Sequence, residues 1–166
     1  WNSGTAEVVD CMVELEKYQE NMTKEELTKK INTVSKVPTS RKYDARMSEI
    51  APEYYVPLVE NMNLEGIAEE FAVFFGITVR RTNLRVLPSK APIYSSTTSL
   101  SDDEFQWTAV YALEPMAVLH TSVDGQWYFA HLYTCFAWIP AEDVALFESK
   151  DANNPSARTG IHIGTN

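Results

Sequence analysis

The chain has 166 residues and a mass of 18.8 kDa, enough for one ordinary domain or two small ones. Apolar residues make up 45% and charged residues 22% of it, which excludes a disordered or collagen-like chain. The formal charge of −9 disfavours binding to nucleic acids, and no apolar run is long enough to span a membrane. Two cysteines and three scattered histidines form no metal-binding motif, so we expect no metal and no cofactor.

Residues 1–75 show the apolar spacing that is typical of amphipathic helices. A first helix is predicted from the apolar stripe Val8, Cys11, Met12 and Leu15. Thr23 followed by Glu26 is a capping box, which predicts the start of a second helix. Pro52 fits the first turn of a third helix, and Pro57, near its middle, would shorten or bend it. We therefore expect a small helical layer in this region.

From Gly76 onwards the apolar period changes to 2, which predicts strands. Asp124-Gly125 is a strong hairpin signal between two of them. The strands are expected in the segments 76–87, 116–121, 126–132, 136–139 and 144–147. Five or six short strands and one long loop predict a small β-barrel over residues 76–148. The fold class is thus α+β, and residues 149–166 are expected to be a polar tail or linker.

Several separate strings occur in one order in the second part: Arg80-Arg81-Thr82-Asn83-Leu84-Arg85, Phe105-Gln106, Val118-Leu119-His120-Thr121-Ser122, Asp124-Gly125-Gln126-Trp127-Tyr128-Phe129 and Trp138-Ile139-Pro140-Ala141-Glu142-Asp143-Val144-Ala145. Together they resemble the first bacterial SH3 (SH3b) domain of NlpC/P60-type cell-wall peptidases. In that family a helical N-terminal segment precedes the SH3-like barrel. Tyr43-Asp44, Leu58, Asn61 and Asn63-Leu64 are similar to that segment.

The chain departs from this family pattern at two places. Ala137 stands where the barrel turn usually has Gly, and the chain stops before the family's hydrolase domain could fit. The resemblance implies a noncatalytic targeting and substrate-shaping module of a peptidoglycan peptidase, so we expect no enzymatic activity from the chain itself. The alternative is a free-standing envelope protein that binds peptides or protein partners. Both imply an extracytoplasmic location, in the cell envelope, the periplasm or the medium.

No catalytic residue is predicted within the chain. Cys11 lies on the apolar stripe of a helix and is expected to be core. Cys135 lies beside strands that carry His120 and His131, but no following helix start would supply oxyanion donors. Whether the two histidines share a face depends on the hairpin register, which the sequence leaves open. A disulfide between Cys11 and Cys135 also stays open.

Aromatic residues point to a ligand or partner surface on the barrel. Trp127 opens the strand after the hairpin, where SH3-like barrels often place an aromatic side chain of the peptide groove. We expect an exposed surface that includes Trp127, Tyr128 and Tyr133, although Trp127 equally suits a core position. Asp143 replaces the groove's usual Tyr, which argues against proline-rich ligands. The resemblance implies a peptidoglycan stem peptide or a neighbouring hydrolase domain as partner.

Overall fold

A computed structural model describes residues 22–98, 100–133 and 135–147, with side chains described as far as residue 146. These residues form helices α1 (Lys24–Val34) and α2 (Val56–Asn61), and 3₁₀ turns at Pro52–Tyr55, Leu64–Gly66 and Ala141–Asp143. The strands are β1 (Phe74–Thr78), β2 (Thr82–Arg85), β3 (Gln106–Val110), β4 (Pro115–Thr121), β5 (Trp127–Leu132), β6 (Cys135–Pro140) and β7 (Val144–Phe147). The predicted α+β class is confirmed. The predicted first helix and residues 149–166 lie outside the described residues.

Helix α1 begins where the capping box predicts it. The Thr23 side chain accepts a hydrogen bond from the Glu26 amide at 3.2 Å, and the Glu26 carboxylate accepts from the Thr23 amide at 3.0 Å. Leu27 and Ile31 lie one turn apart and are fully buried. The helix therefore contributes one apolar stripe to the core, and it ends at Ser35.

The prolines place the next helical elements. Pro52 begins a 3₁₀ turn, and Pro57 lies in the first turn of α2 rather than near the middle of one longer helix. A proline in the first turn costs no helical hydrogen bond, so the chain divides into two short elements instead of bending one. Asn63 follows with a φ of 57°, a left-handed conformation that asparagine tolerates.

The seven strands form one antiparallel sheet in the order β3-β2-β6-β5-β4-β1-β7. The prediction of five or six strands is therefore too low. The exposed pair Arg80 and Arg81 lies in a bend that divides the segment 76–87 into β1 and β2. Strand β3 lies at the sheet edge with largely exposed side chains, so it lacks the alternation that sequence patterns detect.

Two apolar clusters cover the two faces of the sheet. The first joins the helices and the long loop to strand residues such as Phe75, Phe129 and Trp138. The second contains strand residues only, among them Leu84 and Ile139. The indole N–H of Trp138 donates to the Ser35 side chain at 2.8 Å, which ties the end of α1 to β6. Side chains on both faces of the central strands are consequently buried.

The hairpin between β4 and β5 turns at the predicted Asp124-Gly125. Gly125 has a φ of 69°, as expected, and its amide donates to the Ser122 carbonyl at 3.0 Å. The loop is longer than a two- or three-residue turn, because the Ser122 amide pairs with the Trp127 carbonyl at 2.9 Å. Asn61 at the end of α2 holds this loop, since its carbonyl accepts from the Val123 amide at 3.0 Å.

Candidate functional site

A cavity of about 330 Å³ opens beside the bend at Arg80-Arg81. One wall comes from that bend and strand β2, through Arg81, Thr82, Asn83 and Arg85. The remaining walls are Lys90 of the long loop, Trp127 at the start of β5, Pro140 at the end of β6, and Asp143. Trp127 and Pro140 are register partners and both are buried, so they supply the apolar part of the wall. The rest of the lining is polar or charged.

Asp143 is anchored by the bend and β2. It is buried, accepts from the Thr82 hydroxyl at 2.5 Å and forms an ion pair with Arg80. The Asp143 carbonyl also accepts from the Val79 amide at 2.9 Å. A buried carboxylate needs such partners, because an unpaired one would cost several kcal/mol. Asp143 therefore builds the wall of the cavity and cannot stack on a ligand as an aromatic side chain would.

Ion pairs with two buried cations hold the long loop of residues 86–105 beside the cavity. Arg85 is 3% exposed, pairs with Asp103, and donates to the carbonyls of Ser89 at 2.8 Å and Ala91 at 2.9 Å. Farther along the loop, the buried Lys42 ammonium contacts both carboxylate oxygens of Glu104, at 2.6 and 2.8 Å.

Two of the three residues in the acidic run Asp102-Asp103-Glu104 pair with a buried cation. Asp103 pairs with Arg85, and the exposed Glu104 pairs with Lys42. These two pairs connect the loop to β2 and to the segment that contains Lys42.

Glu142 forms the outer rim. Its carboxylate lies 2.6 Å from the Lys90 ammonium and 3.3 Å from the Arg80 guanidinium. The hydrogen bond from Lys90 and the charge of Lys90 lower the pKa of Glu142, and Arg80 acts in the same direction. All three side chains are more than half exposed, so this rim contributes little to stability. The Glu142 carboxylate nevertheless pairs with the Lys90 ammonium and neutralises its charge.

The prediction that Trp127 presents an exposed ring is wrong. Its side chain is 5% exposed and belongs to the apolar cluster that the helices and the long loop cover. The alternative core position applies, and the residue also lines the cavity.

Tyr128 points to the opposite face, is half-buried and packs against the strand-only cluster. Tyr133 is 63% exposed but lies beyond the far end of β5. The structure does not bring these three aromatic residues together.

Other exposed aromatic side chains occur near the sheet edge. Trp107 on β3 is 60% exposed, and Tyr111, just after it, is 71% exposed. The Thr78 hydroxyl donates to the Tyr111 carbonyl at 2.6 Å, which fixes this corner against β1. The sequence places Trp107 and Tyr111 among the aromatic residues of the barrel, but nothing in the pattern marks them as exposed.

The histidines and Cys135 do not form a catalytic group. A register shift between Val118 and His120 places His120 opposite Phe129, and therefore on the same sheet face as His131. Cys135 packs against the strand-only cluster, on the other face. Cys11 lies outside the described residues, so the disulfide question stays open.

His120 has a structural role. Its Nε2 lies 3.0 Å from the carbonyl oxygens of both Met62 and Asn63, so this nitrogen carries the hydrogen. Burial lowers the pKa of His120, although the two carbonyl contacts act in the opposite direction. Burial likewise lowers the pKa of His131, with a further contribution from the charge of Lys30. His120 thus links the helical segment to the barrel.

Within the described ranges, no group of three or more His, Cys, Asp or Glu side chains is arranged to hold a metal ion. None of the helices in that part of the chain has the length and apolarity needed to cross a bilayer.

Comparison with known proteins identifies the barrel. Residues 92–140 match the family model of the SH3 domain of the SH3b1 type. The chain carries a bacterial SH3 domain. This confirms the resemblance on which the sequence interpretation rests. Among curated proteins, none matches the sequence significantly.

A solved structure shares the fold of this SH3b chain. It is an NlpC/P60 endopeptidase from Photobacterium damselae subsp. piscicida, similar over 74% of this chain with a TM-score of 0.65 and 23% identity. The SH3b chain spans 29% of that endopeptidase's length. The structural similarity to this endopeptidase covers more of the chain than residues 92–140, the segment that the family model matches.

Proposed function

We propose that this chain is the noncatalytic targeting and substrate-shaping module of an NlpC/P60-type peptidoglycan peptidase. The observation that carries the proposal is the likeness of 74% of the chain to an NlpC/P60 endopeptidase of which it spans 29%. The SH3b1 match and the cavity beside its long loop support it, because binding modules place their ligands in such concave sites. An extracytoplasmic location belongs to the same proposal.

The partner is a peptidoglycan stem peptide or the neighbouring hydrolase domain. These two partners call for different surfaces. The cavity suits a short peptide, since its volume is near the lower limit of ordinary ligand pockets. The exposed aromatic residues Trp107, Tyr111 and Tyr133 suit a protein surface, because large amphipathic side chains contribute most to such contacts. Trp127 is buried and Tyr128 is half-buried, so each contributes to the partner surface only with the part of its side chain that stays exposed.

Absence of peptidase activity is part of the proposal. Cys135 and the two histidines lie on opposite faces of the sheet, so no thiolate–imidazole contact supports hydrolysis by the described residues. The test is to incubate the chain with purified peptidoglycan sacculi, sediment them, and analyse both fractions. We expect the chain in the pellet and no murein fragments in the supernatant. Fragments that are no longer released by the Cys135→Ala variant would contradict the proposal, and so would a chain that stays in the supernatant.

The alternative function is a free-standing envelope protein that binds peptides or proteins. The open reading frame that encodes the chain separates the two functions. A hydrolase domain encoded after Asn166 favours the peptidase module. A stop codon at that point favours the free-standing protein, which would bind sacculi by the same surfaces.

A further inference from the structure

We propose that the cavity beside Arg80-Arg81 binds a carboxylate of a stem peptide, with Arg81 as the charged anchor and Trp127 as a second donor. This inference rests on the proposed function, and it names the chemical group that the site recognises. Three observations support it: the charges around the cavity, the hydrogen-bond donors of Arg81 and Trp127 that have no acceptor among the described residues, and the shape of the apolar wall.

Most of the charged side chains at the cavity are paired with an opposite charge. Three basic side chains and one carboxylate line the cavity, in a chain whose net charge is −9. Arg85 is neutralised by Asp103, and Lys90 lies against Glu142. The lining carboxylate, Asp143, is neutralised by Arg80.

Arg81 has no carboxylate partner in the part of the chain that the structure describes, and its side chain is exposed at the cavity. A guanidinium group of this kind binds a planar carboxylate through two parallel N–H donors. The uncompensated charge in the cavity is therefore positive.

Hydrogen bonding gives an independent second argument. The two core tryptophans differ in their indole N–H groups. Trp138 donates its N–H to Ser35 at 2.8 Å. Trp127 finds no acceptor for its N–H among the described residues, although its backbone amide donates to the Ser122 hydroxyl at 3.0 Å. The Trp127 nitrogen is not a buried atom without a partner, so its N–H is accessible from outside the chain. Because Trp127 borders the cavity, a bound ligand can supply this acceptor.

The shape of the wall argues against the other common ligand of SH3-like barrels. Proline-rich peptides dock between exposed aromatic faces. Here Trp127 is buried and presents no exposed face, and Asp143 stands where the SH3 resemblance implies the second aromatic residue. The oxygens of Asp143 already accept from Thr82 and Arg80, so an ammonium group of a ligand would compete with Arg80. The site thus offers donors in excess and calls for a ligand that brings acceptors.

The experiment compares two ligands on the whole chain by isothermal titration calorimetry. The first is a murein tripeptide, L-alanyl-γ-D-glutamyl-diaminopimelate, and the second is the same tripeptide with its carboxylates converted to carboxamides. The variant is Arg81→Gln, and the matched control is Arg46→Gln, which replaces an exposed arginine outside the cavity. Thermal unfolding of both variants checks that each is folded.

We expect the acid to bind about tenfold more tightly than the carboxamide, as for one charge-assisted hydrogen-bonded contact. Arg81→Gln should weaken binding of the acid by a similar factor and remove the preference, whereas Arg46→Gln should change neither. Equal binding of acid and carboxamide, or equal behaviour of the two variants, would overturn the inference.

The two proposals fail separately. A chain that sediments with sacculi but binds neither tripeptide would refute the carboxylate site and leave the module function standing. A chain that does neither would refute both.

Discussion

Replacing Arg85 with methionine is expected to lower the free energy of unfolding by about 3–5 kcal/mol, the usual cost of removing one partner of a buried ion pair. The substitution leaves the Asp103 carboxylate and the carbonyls of Ser89 and Ala91 without their common donor. Methionine keeps a long apolar stem, so little of the loss would come from an empty cavity. The measured effect therefore reports on the ion pair and its two hydrogen bonds.

The assay is urea unfolding followed by tryptophan fluorescence, with the thermal midpoint as a second measure. A loss of that size corresponds to a midpoint lower by roughly 6–20 °C for a domain of this length. Arg85→Lys is the matched control, because lysine keeps the charge but lacks the planar fork that reaches three acceptors. We expect it to lose less than methionine. Arg46→Gln, at an exposed position, should stay within about 0.5 kcal/mol of the parent chain.

A second substitution separates the ion pair from general damage to the loop. Asp103→Asn removes the carboxylate charge but keeps an oxygen for the amides of Ile93, at 3.2 Å, and Phe105, at 3.0 Å. The double variant Arg85→Met/Asp103→Asn should therefore recover part of the stability that Arg85→Met loses. A loss below about 1 kcal/mol in Arg85→Met, typical of exposed pairs, would refute the reasoning. So would a double variant that is less stable than either single one.

The remaining predictions concern stability. Gly125→Val should cost about 1–3 kcal/mol from its positive φ alone, because a Cβ there meets nothing within 4 Å; Gly125→Asn should cost clearly less, and equal midpoints for the two would show that the backbone is relaxed. Ser35→Ala should cost about 1–3 kcal/mol, since it strands the indole N–H of Trp138, whereas an unchanged midpoint would mean that water reaches that group. The pKa values of His120 and His131 are lowered in the folded chain, so the unfolded chain binds protons at a higher pH than the folded chain does. The free energy of unfolding should therefore fall as the pH drops from about 7.5 through 6.5. His120→Gln should flatten this slope, and a slope that is absent in the parent chain would contradict the assignment.

Features that depend on local chemistry could be predicted from the sequence. The capping box at Thr23 and Glu26 and the left-handed Gly125 each follow from two or three neighbouring residues. The change of period at Gly76 gave the boundary between helices and strands within about two residues. These signals need no knowledge of what covers each element.

Burial by distant segments could not be predicted in the same way. Trp127 opens its strand as expected, but the helices and the long loop cover the face on which it lies. Asp103 lies in an acidic run, and no local pattern indicates its ion pair, because its partner Arg85 comes from the strand before the loop. Alternation along a strand tells which residues share a face, and it does not tell whether another layer covers that face.

The candidate cavity shows why net charge and local charge must be considered separately. The charge of −9 is a property of the whole surface, and it repels long anionic polymers that must contact much of that surface. A single carboxylate contacts only the cavity, where the lining carboxylate of Asp143 already pairs with Arg80. Arg81 has no carboxylate partner among the described residues. A chain of this kind can therefore exclude an anionic polymer and still accept a short acidic peptide, which is the discrimination that a module acting on peptidoglycan stems would need.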